Sequence, residues 1–409
     1  MSGKWPGGFI KKTAPTVVGP TDGEGGSASG IWTLDQAADY EQRGLWPMPI
    51  IQKPMWAIGG YNATKQLGLN TTTNMSSPVQ IGSAVTWKTL SCGWYSSMAI
   101  KTNGTLWVWG NNNYGQLGNG TTTNGGVPAQ LGALTTWLGL SGGYVFSLAV
   151  KTDGKLYGTG YNGYGQLGQG NTTNLTTFTQ IGSLTTWLKV AASYQNSYAI
   201  KTDGTLWAWG QNTYGQIGDG TSGTNRSSPV QVGALTNWAK LPPVAGFYFC
   251  AAIKTDGTLW TWGVGTGGQL GHNNTTTYSS PVQVGALTTW AEVACGRTYM
   301  LAVKTDGTLW AWGTDNGAGN LGTGSSTNYS SPIQVGALTT WASISTGSAI
   351  SFGITTGGAL WAWGDNQGAV GALGLGDTTR RSSPVQVGAS TNWSVVRNGQ
   401  VATLAIENI

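Results

Sequence analysis

An all-β, seven-bladed propeller of four-stranded antiparallel blades is the fold this sequence predicts, and three observations predict it. A segment of the LWAWG type recurs seven times, at Met55–Gly59, Leu106–Gly110, Leu156–Gly160, Leu206–Gly210, Leu259–Gly263, Leu309–Gly313 and Leu360–Gly364, at intervals of 50 to 53 residues. Three further segments recur between the copies, typified by SPVQVG (Ser228–Gly233), WAEVACG (Trp290–Gly296) and LAVKTDG (Leu301–Gly307). Four strand-length segments repeated seven times is the arithmetic of a propeller. The composition agrees: of 409 residues 67 are glycine and 22 tryptophan, and only 9% are charged, as many short strands, tight turns and aromatic packing require.

Each recurring segment alternates apolar and polar positions with the period of a strand. The turns between them are equally regular. KTDGTL at Lys201, Lys254 and Lys304, with KTNGTL at Lys101 and KTDGKL at Lys151, sets Asp-Gly or Asn-Gly between two alternating runs. That is a strong hairpin signal, because both residues tolerate positive φ. GALTTW closes the next connection. The first LWAWG-type strand lacks a preceding AIK-type strand, and the last AIK-type strand, Thr403–Ile406, lacks a following LWAWG strand. The two ends are therefore expected to complete one blade, which leaves no exposed edge in the ring.

Eighteen of the tryptophans occupy recurring positions, eleven in the LWAWG segments and seven heading the third segment (Trp87, Trp137, Trp187, Trp238, Trp290, Trp341, Trp393). Core positions of a repeat array must recur and ligand contacts need not, so these rings are read as packing between sheets rather than as sugar platforms.

The chain before the repeats, residues 1–53, is a separate arm attached to a propeller at 54–409. A Gly, Pro and Thr-rich stretch through Gly30 is expected to be extended or disordered alone. In IWTLDQAADYEQRGLWP, Thr33 and Gln36 form a capping box, Asp35 and Arg43 suit the two ends of the macrodipole, and Gly44 with Pro47 supplies the stop. A helix at about 33–43 follows. So short a helix needs a surface, and Trp32, Leu34, Ala38, Tyr40 and Trp46 are the expected anchoring residues, against either the propeller's own rim or another protein.

Catalysis needs convergent titratable groups, and the chain is poor in them. Its one histidine, His272, stands where neighbouring repeats have Asn119, Gln169 and Asp219, so it is read as a variable loop residue. Asp153, Asp203, Asp256 and Asp306 are turn aspartates. Asp219 and Asp377 are open to calcium but lie in no calcium-loop pattern. Cys92, Cys250 and Cys295 show no metal spacing and read as small buried fillers. No enzyme activity, cofactor or metal is expected. The net charge of +5 is dispersed, which argues against nucleic acid, and no apolar run approaches membrane-spanning length. The start, MSGKWPGGFIKK, has no signal-peptide core, so the chain is expected to be made soluble in a cytoplasm.

Surface recognition remains. The Asp-Gly hairpins and GALTT turns should share one face, rimmed by lysines; the YGQLG loops and the turns before the AIK-type strands should share the other. On that second face the repeats disagree with one another: Trp94 and Tyr95, Tyr144 and Val145, Tyr194 and Gln195, Phe247 and Tyr248, Arg297 and Thr298. Trp94, Tyr95, Tyr144, Tyr194, Phe247, Tyr248, Arg297 and Tyr299 are the candidate ligand-binding residues, for sugars or protein epitopes. The competing reading is that the rings plug the channel mouth.

NNNYGQLGNGTTTN (Asn111–Asn124), YNGYGQLGQGNTTN (Tyr161–Asn174) and QNTYGQIGDGT (Gln211–Thr221), taken with the hairpin, resemble the repeat of the regulator of chromosome condensation family, over about Pro54–Ile409. The resemblance implies a seven-bladed propeller. Well-known members promote nucleotide exchange on a small GTPase and sit on chromatin, but no segment here matches such a site. The family's Gly-x-x-His-Ser is also missing, with Ser96, Phe146, Asn196, Phe249, Tyr299, Ile350 and Ala402 in the histidine place. The arm segment GSASGIWTLDQAADYEQRGLWP is similar to a segment recurring in virion proteins of tailed, especially marine, bacteriophages. That resemblance implies a virion structural protein, a tail appendage, tail fibre or capsid decoration, that binds other virion proteins through residues 1–50 and displays the propeller for adhesion to a host-surface glycan or protein. The alternative expectation is an intracellular scaffold or exchange-factor-like regulator that binds a protein partner.

Overall fold

The computed structural model describes residues 52–409 except positions 316, 369, 400 and 401, together with two short strands at Val17–Val18 and Ser27–Ala28. The chain divides into residues 1–52 and 53–409. In the first unit the two short strands pair antiparallel, Val17 opposite Ala28. The helix expected at about 33–43, with Trp32, Leu34, Ala38, Tyr40 and Trp46, lies outside the described residues.

Residues 53–409 form seven four-stranded antiparallel sheets. Blade 2 runs Trp87–Cys92, Ser96–Lys101, Leu106–Gly110 and Gly125–Gln130 in hydrogen-bonded order, from the inner strand to the outer. Blades 3 to 7 repeat that order from inner strands beginning at Trp137, Trp187, Trp238, Trp290 and Trp341. Blade 1 is drawn from both ends of the chain: Trp393–Asn398 and Ala402–Glu407 are followed across the sheet by Met55–Gly60 and Val79–Gln80. Met55 stands opposite Ile406 and Trp56 opposite Ala405. Proline sits within five of the outer strands, at Pro128, Pro229, Pro281, Pro332 and Pro384. Its missing N–H is tolerated there, and it discourages pairing with another sheet.

The core lies between blades. The second tryptophan of each LWAWG is fully buried and reaches into the preceding blade's long loop, where its indole N–H donates to a backbone carbonyl: Trp109 to Gln66 at 2.9 Å, Trp209 to Gln166 at 2.8 Å, Trp262 to Gln216 at 3.0 Å, Trp312 to Gln269 at 2.9 Å and Trp363 to Asn320 at 2.9 Å. In blade 3 Thr159 replaces the ring and its hydroxyl donates to Gly115 O at 2.8 Å. The second glycine of YGQLG belongs to this joint. Gly168 has φ +67°, and a Cβ there would come within 2.9 Å of Trp209 Nε1, so the left-handed backbone and the ring both select glycine.

The KTDGTLW stretch does more than turn. Trp207 Nε1 donates to Thr205 Oγ1 at 2.9 Å, and Thr205 Oγ1 donates to Asp203 Oδ1 at 2.6 Å. Only the glycine has positive φ, 75° at Gly204, with Gly204 N donating to Lys201 O at 3.0 Å. The expectation that both Asp and Gly would adopt positive φ is therefore corrected: one added residue lets an ordinary turn precede a single left-handed position, and the aspartate is chosen for its acceptor oxygen.

The lysines expected to rim the hairpin face are held against aromatic rings. Lys101, Lys201, Lys254 and Lys304 each place the ammonium between two rings, Lys201 at 3.6 Å from the Trp207 centroid and 4.9 Å from Trp187. Lys151 does the same with Trp137 and Tyr157. The stem runs along apolar surface and the charge rests on aromatic faces. Burial pulls Lys101, Lys201, Lys254 and Lys304 below the ordinary lysine value.

Candidate binding face

The turn between the inner and second strands is built alike in most blades. Its first N–H donates to the carbonyl three residues on, as Gly93 to Ser96 at 2.8 Å, Gly143 to Phe146 at 2.9 Å, Ser193 to Asn196 at 2.9 Å and Gly296 to Tyr299 at 2.9 Å. Neighbouring turns are tied in series, with Trp94 N donating to Gly143 O and Tyr144 N to Ser193 O, both at 3.2 Å. The two central residues of these turns are thereby fixed at the channel mouth.

Blades 2 to 5 each place one or two rings there. Trp94 lies 4.5 Å from Tyr144, 5.1 Å from Tyr194 and 4.8 Å from Phe247, centroid to centroid. Tyr194 and Phe247 are stacked at 4.2 Å with an interplanar angle of 12°. Tyr95 packs on Tyr144 at 5.9 Å, and Tyr248 on Phe247 at 5.4 Å. All six rings are half-buried. Burial, then neighbouring phenols, pushes Tyr95, Tyr194 and Tyr248 above the usual tyrosine range, so they remain neutral hydrogen-bond donors. Arg297 is exposed, its guanidinium 5.1 Å from the Phe247 centroid. The corresponding turns of blades 7 and 1 carry Ser348, Ala349 and Gly399, so the face is aromatic on one side only.

Trp94, Tyr194 and Phe247 pack on one another across the mouth, as a plug does; Tyr95, Tyr248 and Arg297 extend the cluster outward. Tyr248 lies 5.2 Å from Tyr214 of the long loop, and Tyr114 lies 5.2 Å from Tyr161. Tyr61, Tyr114 and Tyr214 are exposed. The sequence reading missed these loop tyrosines because Tyr114, Tyr164 and Tyr214 recur in YGQLG and recurrence was equated with packing. The available signal was position: each stands beside glycine in a loop, outside any alternating run.

The long loops are rigid platforms. Asn112 Oδ1 accepts from Leu117 N at 2.9 Å, its Nδ2 donates to Thr121 O and Thr123 O, and its own N–H donates to Asn124 Oδ1 at 2.7 Å. Asn62 and Asn162 act alike. This is what the NN…TTTN spacing encodes: one buried amide that satisfies the loop's backbone groups.

Tyr299 is a correction. It is fully buried; its hydroxyl donates to Ile350 O at 2.7 Å and lies 2.8 Å from Ser351 Oγ. It faces the neighbouring blade and not a ligand, because it occupies the first strand position after the turn rather than the turn itself. The other residues in the family's histidine place, Ser96, Phe146, Asn196, Phe249, Ile350 and Ala402, are likewise buried.

The titratable residues are engaged elsewhere. His272 Nε2 lies 2.9 Å from Thr261 Oγ1, its ring edge-on to Tyr278, and burial lowers its pKa. Asp219 pairs with Arg226 and Asp377 with Arg381, each at 2.6 Å. The three cysteines are free and buried, and burial pushes Cys92 and Cys295 up to about 12. Among the described residues no group of three or more His, Cys, Asp or Glu is placed to hold a metal ion, and no helix is long and apolar enough to cross a membrane.

A rigid array of blades whose distinctive side chains sit on turns around a channel defines a propeller with a one-sided aromatic face. The chain belongs to the regulator of chromosome condensation (RCC1) repeat family, whose repeat matches residues 55–100, 103–150, 153–200, 203–252, 256–303 and 306–354. Its sequence is similar to the human E3 ubiquitin-protein ligase HERC2, 34% identical over 195 residues covering 42% of this chain and 4% of that one. It is similar also to the mitochondrial RCC1 domain-containing protein RUG3 of Arabidopsis thaliana, 30% identical over 193 residues, 45% of this chain and 42% of that one. The matched stretches thus span less than half of these curated relatives. Among solved structures, human WBSCR16 superposes with a TM-score of 0.77 at 20% identity, over 88% of this chain and 99% of that one. Prp20p of Saccharomyces cerevisiae does so with a TM-score of 0.75 at 18% identity, over 87% and 91%.

Proposed function

We propose that the propeller is a non-catalytic recognition module whose partner, a protein, docks on the aromatic turn face of blades 2 to 5. The observation that carries this reading is the continuous ring network from Trp94 through Phe247 and Tyr248 to exposed Tyr214, with Arg297 beside it. Tyrosine and arginine over a rigid support are the side chains that concentrate binding energy at protein interfaces. The relatives support the class: yeast RCC1 (Prp20) has been solved bound to Kap60, and Prp20p has been examined for binding to Gsp1p and histones. A photo-crosslinking residue at Tyr214 of the full chain, expressed in its native source, is expected to capture one protein. Tyr248→Ser combined with Arg297→Glu is expected to abolish that capture, whereas a crosslinker at Leu287, which lies on a GALTT turn, captures none. Capture unchanged by the double substitution overturns the reading and leaves the rings as a plug.

A second reading rests on the division of the chain, since residues 1–52 form a unit of their own. In it the arm ties the propeller to a virus particle and the same face meets a host-surface glycan or protein. Deleting residues 1–50 would then abolish particle incorporation while the propeller stays folded; incorporation that survives the deletion removes this reading.

A further inference from the structure

We propose that the axial channel is a binding site for a small multivalent oxyanion, held by Lys189, Lys240 and Arg397. Along an inner strand, alternate residues face the same way, and those two and four places after the leading tryptophan line the channel. Most of these positions hold small or neutral residues, such as Thr89, Ser91, Gly139 and Ser141. Blades 4, 5, 6 and 1 depart from the pattern with Lys189, Lys240, Glu292 and Arg397, and all four line one cavity of about 370 Å³. Prolines 242 and 243 add to its wall where they cut the blade 5 inner strand to Trp238–Lys240.

The charges do not cancel. Three cations face one carboxylate, and among the described residues no two of these groups form an ion pair. Lys189 Nζ donates to Ala239 O at 2.6 Å and Lys240 Nζ to Ala291 O at 2.5 Å, so each ammonium is held against the next blade's inner strand. Arg397 Nη1 donates to Val396 O at 2.8 Å, which leaves most of a five-donor fork without a protein acceptor. Glu292 Oε2 accepts from Ile344 N at 3.1 Å. Confined like charges repel strongly at reduced dielectric, and burial, followed by the neighbouring Lys240, pulls the Lys189 pKa down. A ligand with two or more negative charges removes that repulsion. The guanidinium suits a bidentate oxyanion and the lysines act as point charges, so phosphoryl and polycarboxylate groups share the required chemistry. Serving no packing need of the repeat, the four departures are a site built into a scaffold that otherwise leaves the channel neutral.

The test is titration calorimetry of the full chain with pyrophosphate and, separately, with citrate, each against sodium chloride at equal ionic strength. Saturable binding of one anion per chain is expected. Lys240→Met and Arg397→Met should each weaken it at least tenfold, and Glu292→Gln should tighten it severalfold. Preference for pyrophosphate assigns a phosphoryl ligand and preference for citrate a carboxylate one. Without anion the two methionine variants should melt no lower than the parent, since each removes a repelling charge. The proposal is overturned by heats no larger than the chloride control for both anions, by affinity unchanged in both methionine variants, or, should those fail to fold, by Glu292→Gln that does not tighten binding.

Discussion

Installing in blade 7 the hydrogen-bond relay that other blades possess is expected to stabilise the propeller. In blades 4, 5 and 6 the first LWAWG indole donates to a threonine, which donates to the turn aspartate, through Thr205 and Asp203, Thr258 and Asp256, and Thr308 and Asp306. In blade 7 those two places hold Ala359 and Gly357, and the buried Trp361 Nε1 has no partner. A buried donor left unmatched costs about 1–3 kcal/mol. Ala359→Thr supplies the acceptor and Gly357→Asp the next link. There is room: a Cβ on Gly357 meets only Thr355 Oγ1, at 4.0 Å, and its φ is not positive. The present bond from Ala359 N to Thr355 Oγ1 at 3.2 Å is given up in exchange, so the net gain of the double variant is about 1–2 kcal/mol. With an unfolding entropy of about 2 cal/mol/K per residue, that is a rise of roughly 1.5–3 °C in Tm. The mirror change, Thr205→Ala, should lower stability by a similar amount. Calorimetry and denaturant melts followed by tryptophan fluorescence measure both. A midpoint unchanged or lowered in the blade 7 variant, while Thr205→Ala destabilises, would refute the assignment of the relay as a stabilising element.

Lys201→Met keeps the stem's apolar contact and removes the charge between Trp187 and Trp207, so it should cost about 1–2 kcal/mol, against under about 0.5 for exposed Lys88→Met; equal melting points would show that the sandwich contributes nothing. The turn carboxylates set the acid limit. Asp203, Asp256 and Asp306 are held below the ordinary value of 3.8 chiefly by the threonine hydroxyl and amide two residues on, and Asp153 by Lys155. A depressed carboxyl contributes its stability above the ordinary value and loses it as pH falls through the lower folded one. Melting temperature should therefore drop steeply below about pH 4, and Asp203→Asn, which keeps an acceptor oxygen, should shallow that drop. Removing residues 402–409 deprives Met55–Gly60 of its partner strand and bares two sheet edges; the product is expected to aggregate, and a cooperatively melting monomer would show that the mixed blade does not seal the ring.

The regular parts of this chain were legible because a repeat states its packing rule seven times. Strand count, blade order and the tryptophan positions all follow from period and alternation, and the burial of Trp109, Trp209, Trp262, Trp312 and Trp363 matches. The same logic misled at Tyr214. It recurs, yet it is exposed on the turn face. Recurrence marks a position as part of the scaffold's pattern without saying which way its side chain points. Tyr299 failed for a related reason, since a one-residue step from turn to strand moves a ring from the mouth to the blade interior.

What the amino-acid order settles by itself is local and periodic: which segments extend, where the chain turns, which glycines must be glycine. Which non-repeating residues meet is decided only by the way the seven sheets are arranged around their channel. Trp94 and Phe247, about 150 residues apart in the chain, stand 4.8 Å from one another because their turns open onto one mouth, and Lys189, Lys240, Glu292 and Arg397 share a cavity because their inner strands line one channel. Spacing along the chain carries no record of either encounter, because a side chain's neighbours across the channel are set by the geometry of the whole ring and not by its own repeat.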